Sequence, residues 1–251
     1  HVHPELSLMS IVCRVLPVLA CLLVGPSALA EVVIDRTRVV YPQQAREVTL
    51  GLSSEASGPR LVQIWVDAGD ATAAPESSEV PFLVVPPLLR MEAGAGQALR
   101  LIHTPEPGHS RPITESLYWL NVLVIRPTQP ASESNHLSLA FRTRIKVFLR
   151  PDHLPGASAD APAALRWAWQ GCTLHVRNPG DYYVTLSSVV LNREGRTWRN
   201  DLAPMLAPRA SAILELTDAG PARQSGDQFT TLDDNGATQT HSLMLAETAP
   251  E

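Results

Sequence analysis

Asn135-His-Leu-Ser-Leu-Ala-Phe-Arg-Thr-Arg-Ile-Lys-Val-Phe-Leu-Arg-Pro151 decides how this chain is read. Leu137, Leu139 and Phe141 alternate with Ser138 and Ala140, and Ile145 and Val147 keep the same step. That two-residue period marks a β-strand with one strongly apolar face. Strict alternation sets Lys146 on the opposite face. Lys146 is the single lysine among twenty basic residues. In a chain otherwise turned over to arginine, a compact ammonium persists by chance or where a planar guanidinium does not fit. The pattern by itself also suits a strand packed on its own core. Two features favour an edge where another chain docks. Ser138 and Ala140 are small enough to face the interior and leave the larger residues outward, and the preceding loop, 126–134, has the composition of a segment that orders on binding.

Outward from this strand, short apolar runs recur at 32–40, 46–52, 61–66, 82–85, 97–103, 116–125 and 137–149, separated by Tyr41-Pro42, Ser57-Gly58-Pro59, Pro86-Pro87 and Glu92-Ala-Gly-Ala-Gly96. Such segments, punctuated by turn residues and with no amphipathic helix among them, predict an all-β sandwich over 31–150, its docking strand at 135–149. Residues 151–163 turn to Pro, Gly, Ala, Ser and Asp and read as a linker. A second group of runs, 174–177, 182–191, 196–198, 212–216 and 242–245, with turns at Asn178-Pro179-Gly180 and Glu194-Gly195, predicts a second domain over 164–246 and a loose tail, 247–251.

Residues 1–30 read as a leader and secretory signal peptide: Arg14, an apolar stretch at 15–24, and the small-residue cleavage site Ala28-Leu29-Ala30, so that Glu31 is the expected mature start. The apolar stretch is too short to span a bilayer, and an exported chain without membrane insertion is expected. Cys13 and Cys21 would leave with the signal, which gives Cys172 no intramolecular partner. A net charge of −5 offers no attraction for nucleic acid or anionic lipid.

Catalytic apparatus is not visible in the sequence. The histidines at 103, 109, 136, 153, 175 and 241 lack metal-ligand spacing, so no metal or cofactor is expected. There is no Gly-x-Ser-x-Gly turn and no phosphate-cradling glycine loop, which argues against an enzyme. Asp233-Asp234-Asn235-Gly236 has the composition of a polar turn.

Five blocks in order carry a family likeness: Ile34-Asp35-Arg36-Thr37-Arg38 running into Val39-Val40-Tyr41-Pro42, Pro86-Pro87, Glu115-Ser116-Leu117-Tyr118-Trp119-Leu120-Asn121, the 143–151 segment, and Asn178-Pro179 with Tyr182-Tyr183-Val184-Thr185. Together they resemble the periplasmic pilus-assembly chaperones of the PapD type. The resemblance implies two immunoglobulin-like β-sandwich domains in an L or boomerang. It also implies a periplasmic chaperone that caps pilus or fimbrial subunits by donor-strand complementation and hands them to an outer-membrane usher. By the same likeness, Arg38 and Lys146 bind the subunit's terminal carboxylate, Leu137, Leu139 and Phe141 enter its groove, and Glu115, Arg150 and Asp234 form an interdomain ion cluster. The free chain is open to self-capping through its edge strand.

Regular alternation cannot present residues 137, 139 and 141 and also Lys146 on one face. A bulge, strong twist or change of sheet is therefore expected at 142–144. The competing reading from another class is an exported immunoglobulin-like adhesive module that binds through loops and gives Lys146 no role.

Overall fold

The alternating runs of the first half fold into two facing sheets. One contains β1 (Val32–Ile34), β3 (Val48–Ser54), β7 (Gly96–His103) and β5 (Phe82–Val85) in that order. The other contains β2 (Arg38–Pro42), β9 (Phe141–Arg150), β8 (Ser116–Ile125), β4 (Arg60–Asp67) and β6 (Leu88–Met91). The computed structural model describes residues 31–72, 74–77, 79–105, 112–127, 140–170, 173–222 and 226–246. Inward residues such as Leu50, Ile64, Leu99, Leu120 and Val147 build one core between the sheets. Each large side chain buried there contributes about 1.5–3 kcal/mol relative to exposure.

The 32–40 run is two strands in opposite sheets. Asp35 breaks it: its N–H donates to the Gly51 carbonyl at 3.0 Å, and its carboxylate accepts from the Gly51 N–H at 3.0 Å. A Cβ at position 51 would lie 3.1 Å from that carboxylate, close enough that Asp35 would have to shift. The chain crosses at Asp35-Arg36-Thr37 and enters the second sheet as β2, parallel to β9, with Arg38 beside Lys146 and Pro42 beside Arg150.

The expected bulge in β9 is absent. Its pairing with β8 runs without a break from Phe141, opposite Val124, to Leu149, opposite Ser116. Ile145, Val147 and Leu149 face the core, and Phe141, on the same face, is 54% exposed. Ala140, expected to pack inward, is exposed. The strand simply outruns its sandwich. β2 begins only at Arg38, so among the described residues β9 from Phe141 to Ile145 has β8 on one side and no strand on the other. Leu137 and Leu139 lie outside the described residues, as do Cys172 and the 247–251 tail.

The second sandwich pairs a sheet of β10 (Arg166–Gln170), β11 (Thr173–Arg177) and β15 (Ser211–Glu215) with one ordered β16 (Thr217–Pro221), β13 (Arg196–Asn200), β12 (Val184–Arg193), β17 (Gln228–Leu232) and β18 (Thr238–Ser242). The short β14 (Met205–Leu206) also pairs with β12. Glu194 and Gly195 both take positive φ, 52° and 74°, and close the two-residue hairpin from β12 to β13. Asn178 is fully buried; its Nδ2 donates to the Tyr182 carbonyl at 2.8 Å and its Oδ1 accepts from the Gly180 N–H at 3.0 Å. The 151–163 segment is more packed than a linker need be. Ser158–Ala164 forms a 3-10 helix, and Leu154 and Ala161 join the second core.

Candidate functional site

β2 and β9 carry the site on the face turned away from the first core. Arg38 and Lys146 are register partners, so their side chains rise next to each other. Arg38 is 8% exposed; its Nη1 donates to the Leu232 carbonyl at the end of β17, 3.4 Å away, while its buried Nε has no hydrogen-bond partner among the described residues. Burial lowers the affinity of Arg38 for its proton, and the charges of Asp234 and Asp233 pull it partly back. Lys146, partly buried, is depressed below the ordinary lysine range by the same desolvation and by the neighbouring Arg38 charge. Neither cation forms an ion pair with a carboxylate among the described residues.

Four residues along β9, on the same face, Arg150 is fully engaged. Its Nε donates to Glu115 Oε1 at 2.7 Å, and its two terminal nitrogens grip Asp234 at 2.7 and 2.9 Å. Ser158 Oγ donates to Asp234 at 2.9 Å, and the Tyr182 ring lies under the guanidinium, 5.3 Å from its centroid. Burial works against the Arg150 charge, but the two carboxylates outweigh it and its pKa rises. Glu115, 3% exposed, is pushed up by desolvation, although Arg150 and the Tyr183 N–H at 2.8 Å oppose that. Asp234 is held low, chiefly by its hydrogen bonds from Arg150. Asp234 sits in the β17–β18 turn foreseen from composition. Asp233 ties that turn together by accepting from the Asn235 and Ala237 N–H groups, both at 2.9 Å, which leaves Asp234 free to reach across.

Arg38, Glu115, Arg150 and Asp234 border a cavity of about 390 Å³ between the sandwiches, with Phe148, Tyr183, Leu232 and His241 also in its lining. Phe148 meets Tyr183 across it at 5.7 Å. Gly236, at φ 83°, is pressed against Thr37, and a Cβ there would lie 2.3 Å from Thr37 Oγ1. The structure thus brings together Arg38 with Lys146 and Glu115 with Arg150 and Asp234. It sets Phe141 apart from both, on the opposite face of β9, at the strand's open edge.

The sequence reading missed a layer on the same outer face. Asp67 and Asn121, 1% and 0% exposed, lie beneath Arg142 and Arg144, whose guanidiniums cover the Trp65 and Trp119 rings at 4.7 and 4.6 Å. Burial works against the Asp67 charge, but bonds from Arg144, Asn121 and the Gly69 N–H win, and its carboxyl stays below the ordinary range. An acid and an amide at strand positions between tryptophans were the available signal.

A tandem of sandwiches with this cleft defines the class, and comparison with known proteins agrees. Residues 31–155 match the family model of the pili and flagellar-assembly chaperone PapD N-terminal domain, and residues 160–243 match that of the PapD C-terminal domain. The chain belongs to the PapD family of pilus-assembly chaperones, which is not a class of enzymes. It is 37% identical to the fimbrial chaperone YadV of Escherichia coli K12, over 86% of this chain and 90% of that protein. The YadV crystal structure superposes with a TM-score of 0.70, covering 85% of this chain and all of that one. The CupB2 chaperone of Pseudomonas aeruginosa, 32% identical, gives 0.71 over 85% of this chain and 100% of its own. A chain in the Salmonella enterica complex of SafA pilin with the SafB chaperone, 29% identical, gives 0.67 over 86% and 98%.

Proposed function

We propose that this chaperone captures the C-terminal carboxylate of a pilus subunit between Arg38 and Lys146 and lends that subunit the open edge of β9. One observation carries the reading: two desolvated cations stand together, neither ion-paired with a carboxylate among the described residues, where β2 gives way to that edge. β2 occupies the edge from Lys146 onward, so a strand added along 141–145 must stop there. If it stops in a carboxylate, it runs parallel to β9 and in line with β2. Each charge-assisted hydrogen bond to that carboxylate is worth about 1.5–3 kcal/mol.

Phe141, with Leu137 and Leu139, would fill the groove left open in a subunit that lacks its last strand. Because an added strand pairs through its main chain, it has access to both faces of β9, and this removes the need for a bulge. The Glu115–Arg150–Asp234 cluster serves geometry, fixing one sandwich against the other. The chain works in the periplasm after removal of residues 1–30 and passes its client to an outer-membrane usher. The SafA–SafB pairing supports a pilin as the client.

Lys146→Ala is expected to fold and be exported while recovering roughly tenfold less co-expressed pilin, in line with one lost charge-assisted bond. Lys146→Arg should fall between, since a planar fork does not replace a point charge. Undiminished recovery by Lys146→Ala would sink the carboxylate anchor, and a loop-binding adhesin would be equally indifferent to the change.

A further inference from the structure

Lys146 has Arg38 on one flank and, on the other, Trp119, its cross-strand partner on β8. Its ammonium lies over the Trp119 ring, 5.8 Å from the centroid. The same indole carries the Arg144 guanidinium at 4.6 Å. Arg144 is itself tied down, because buried Asp67 accepts from its Nε at 3.2 Å and from its Nη2. Asp67 is fixed in turn by the Gly69 N–H and Asn121 Nδ2, both at 2.7 Å. Asn121 Oδ1 holds Arg142 at 2.9 and 2.6 Å. A continuous set of contacts therefore runs from the buried Asp67–Asn121 pair through Arg144 and the indole to the lysine.

We propose that Trp119 is a positioning residue for the subunit-carboxylate site: its indole holds the Lys146 ammonium beside Arg38 without neutralising it. This rests on the carboxylate reading above. A ring face attracts a cation through its quadrupole but carries no net charge. A carboxylate at position 119 would fix the ammonium equally well and then compete with the incoming one. With neither, the flexible four-carbon stem would swing away from the like charge of Arg38, and ordering it would weaken capture.

The lone lysine makes this testable on the whole chain. Reductive methylation with ¹³C-formaldehyde gives a dimethyl-lysine that keeps its charge, and the only other labelled amine, the N-terminus, titrates lower. The probe is a synthetic peptide of alternating apolar residues, made as the free acid and as the C-terminal amide. In the wild type the Lys146 methyl signal should be displaced by the indole ring current, and the acid should bind more tightly than the amide. Trp119→Leu should abolish the displacement and cut the preference for acid over amide about 5- to 30-fold, the range of a partly desolvated cation–π contact, with amide binding unchanged. Trp119→Phe, the gentler change, should keep part of both effects and carries the test by itself if the leucine variant does not fold.

Equal loss for acid and amide, or an undisplaced methyl signal in the wild type, overturns the positioning role while the anchor stands. A wild type that does not distinguish acid from amide overturns the anchor, and the proposal with it.

Discussion

Arg150 and Lys146 sit on one face of one strand, yet their surroundings are opposite. Arg150 has two carboxylates, a serine hydroxyl and a ring. Lys146 has a ring and a second cation. A buried charge satisfied within the chain fixes structure, whereas one left without its counter-charge costs stability and leaves a place for a ligand. The difference distinguishes scaffold from receptor more clearly than exposure does, since both residues are partly buried.

The sharpest way to break the comparison is to remove each cation. Arg150→Met strands Glu115, almost wholly buried, and should cost about 3–5 kcal/mol in denaturant unfolding. Lys146→Met should be neutral or slightly stabilising, because it relieves a desolvated charge beside Arg38. Equal losses for the two variants would erase the distinction.

Titration sharpens it further, because the two sites should respond at opposite ends of the pH scale. The Asp234 pKa is lowered on folding from its ordinary 3.8. Its contribution is present above 3.8 and is lost as the pH falls through the depressed folded value. The Lys146 pKa is lowered from 10.5. The unfolded chain then binds more protons between the folded value and 10.5, so stability should rise with pH across that window. Unfolding curves for the wild type, Asp234→Asn and Lys146→Met should show the acid limb shrink in the first variant, with Asp67 among the groups that keep the rest, and the alkaline rise shrink in the second.

A smaller loss than that of Arg150→Met is expected where the sandwiches touch. Gly236→Ala adds a methyl group at φ 83° that collides with Thr37 Oγ1. The cost should be about 1 kcal/mol or more, read as a fall in thermal midpoint. Thr37→Ala should recover the steric part and leave the backbone strain.

Much of this was legible in the chain because alternation is local. The faces of β9 follow from that period, whereas the partnership of Arg38 with Lys146 and the three members of the ion cluster are what the family resemblance implies. What was not legible depends on what lies opposite. Alternation placed Phe141 with Val147 but could not say where the facing sheet stops, so an exposed residue and a core residue shared one pattern. Nor could it foresee that Asp35 would bond to Gly51 and split one run between two sheets. β17, Gln228-Phe-Thr-Thr-Leu232, escaped notice because its buried positions pair one large ring, Phe229, with the polar Thr231, which gives no apolar alternation; Phe229 packs on Trp167 from β10 at 5.0 Å. Asp67 and Asn121 drew no reading of their own, because the two arginines and two tryptophans that cover them meet only in the folded chain.

The crossover at Asp35-Arg36-Thr37 has a mechanical meaning. Just before Arg38 the chain is stitched to β3 in one sheet, just after it to β9 in the other, and at Thr37 it abuts the β17–β18 hairpin of the second sandwich. A tug on the Arg38 guanidinium is therefore shared among three bodies at a single junction, as a keystone shares its weight between the two limbs of an arch.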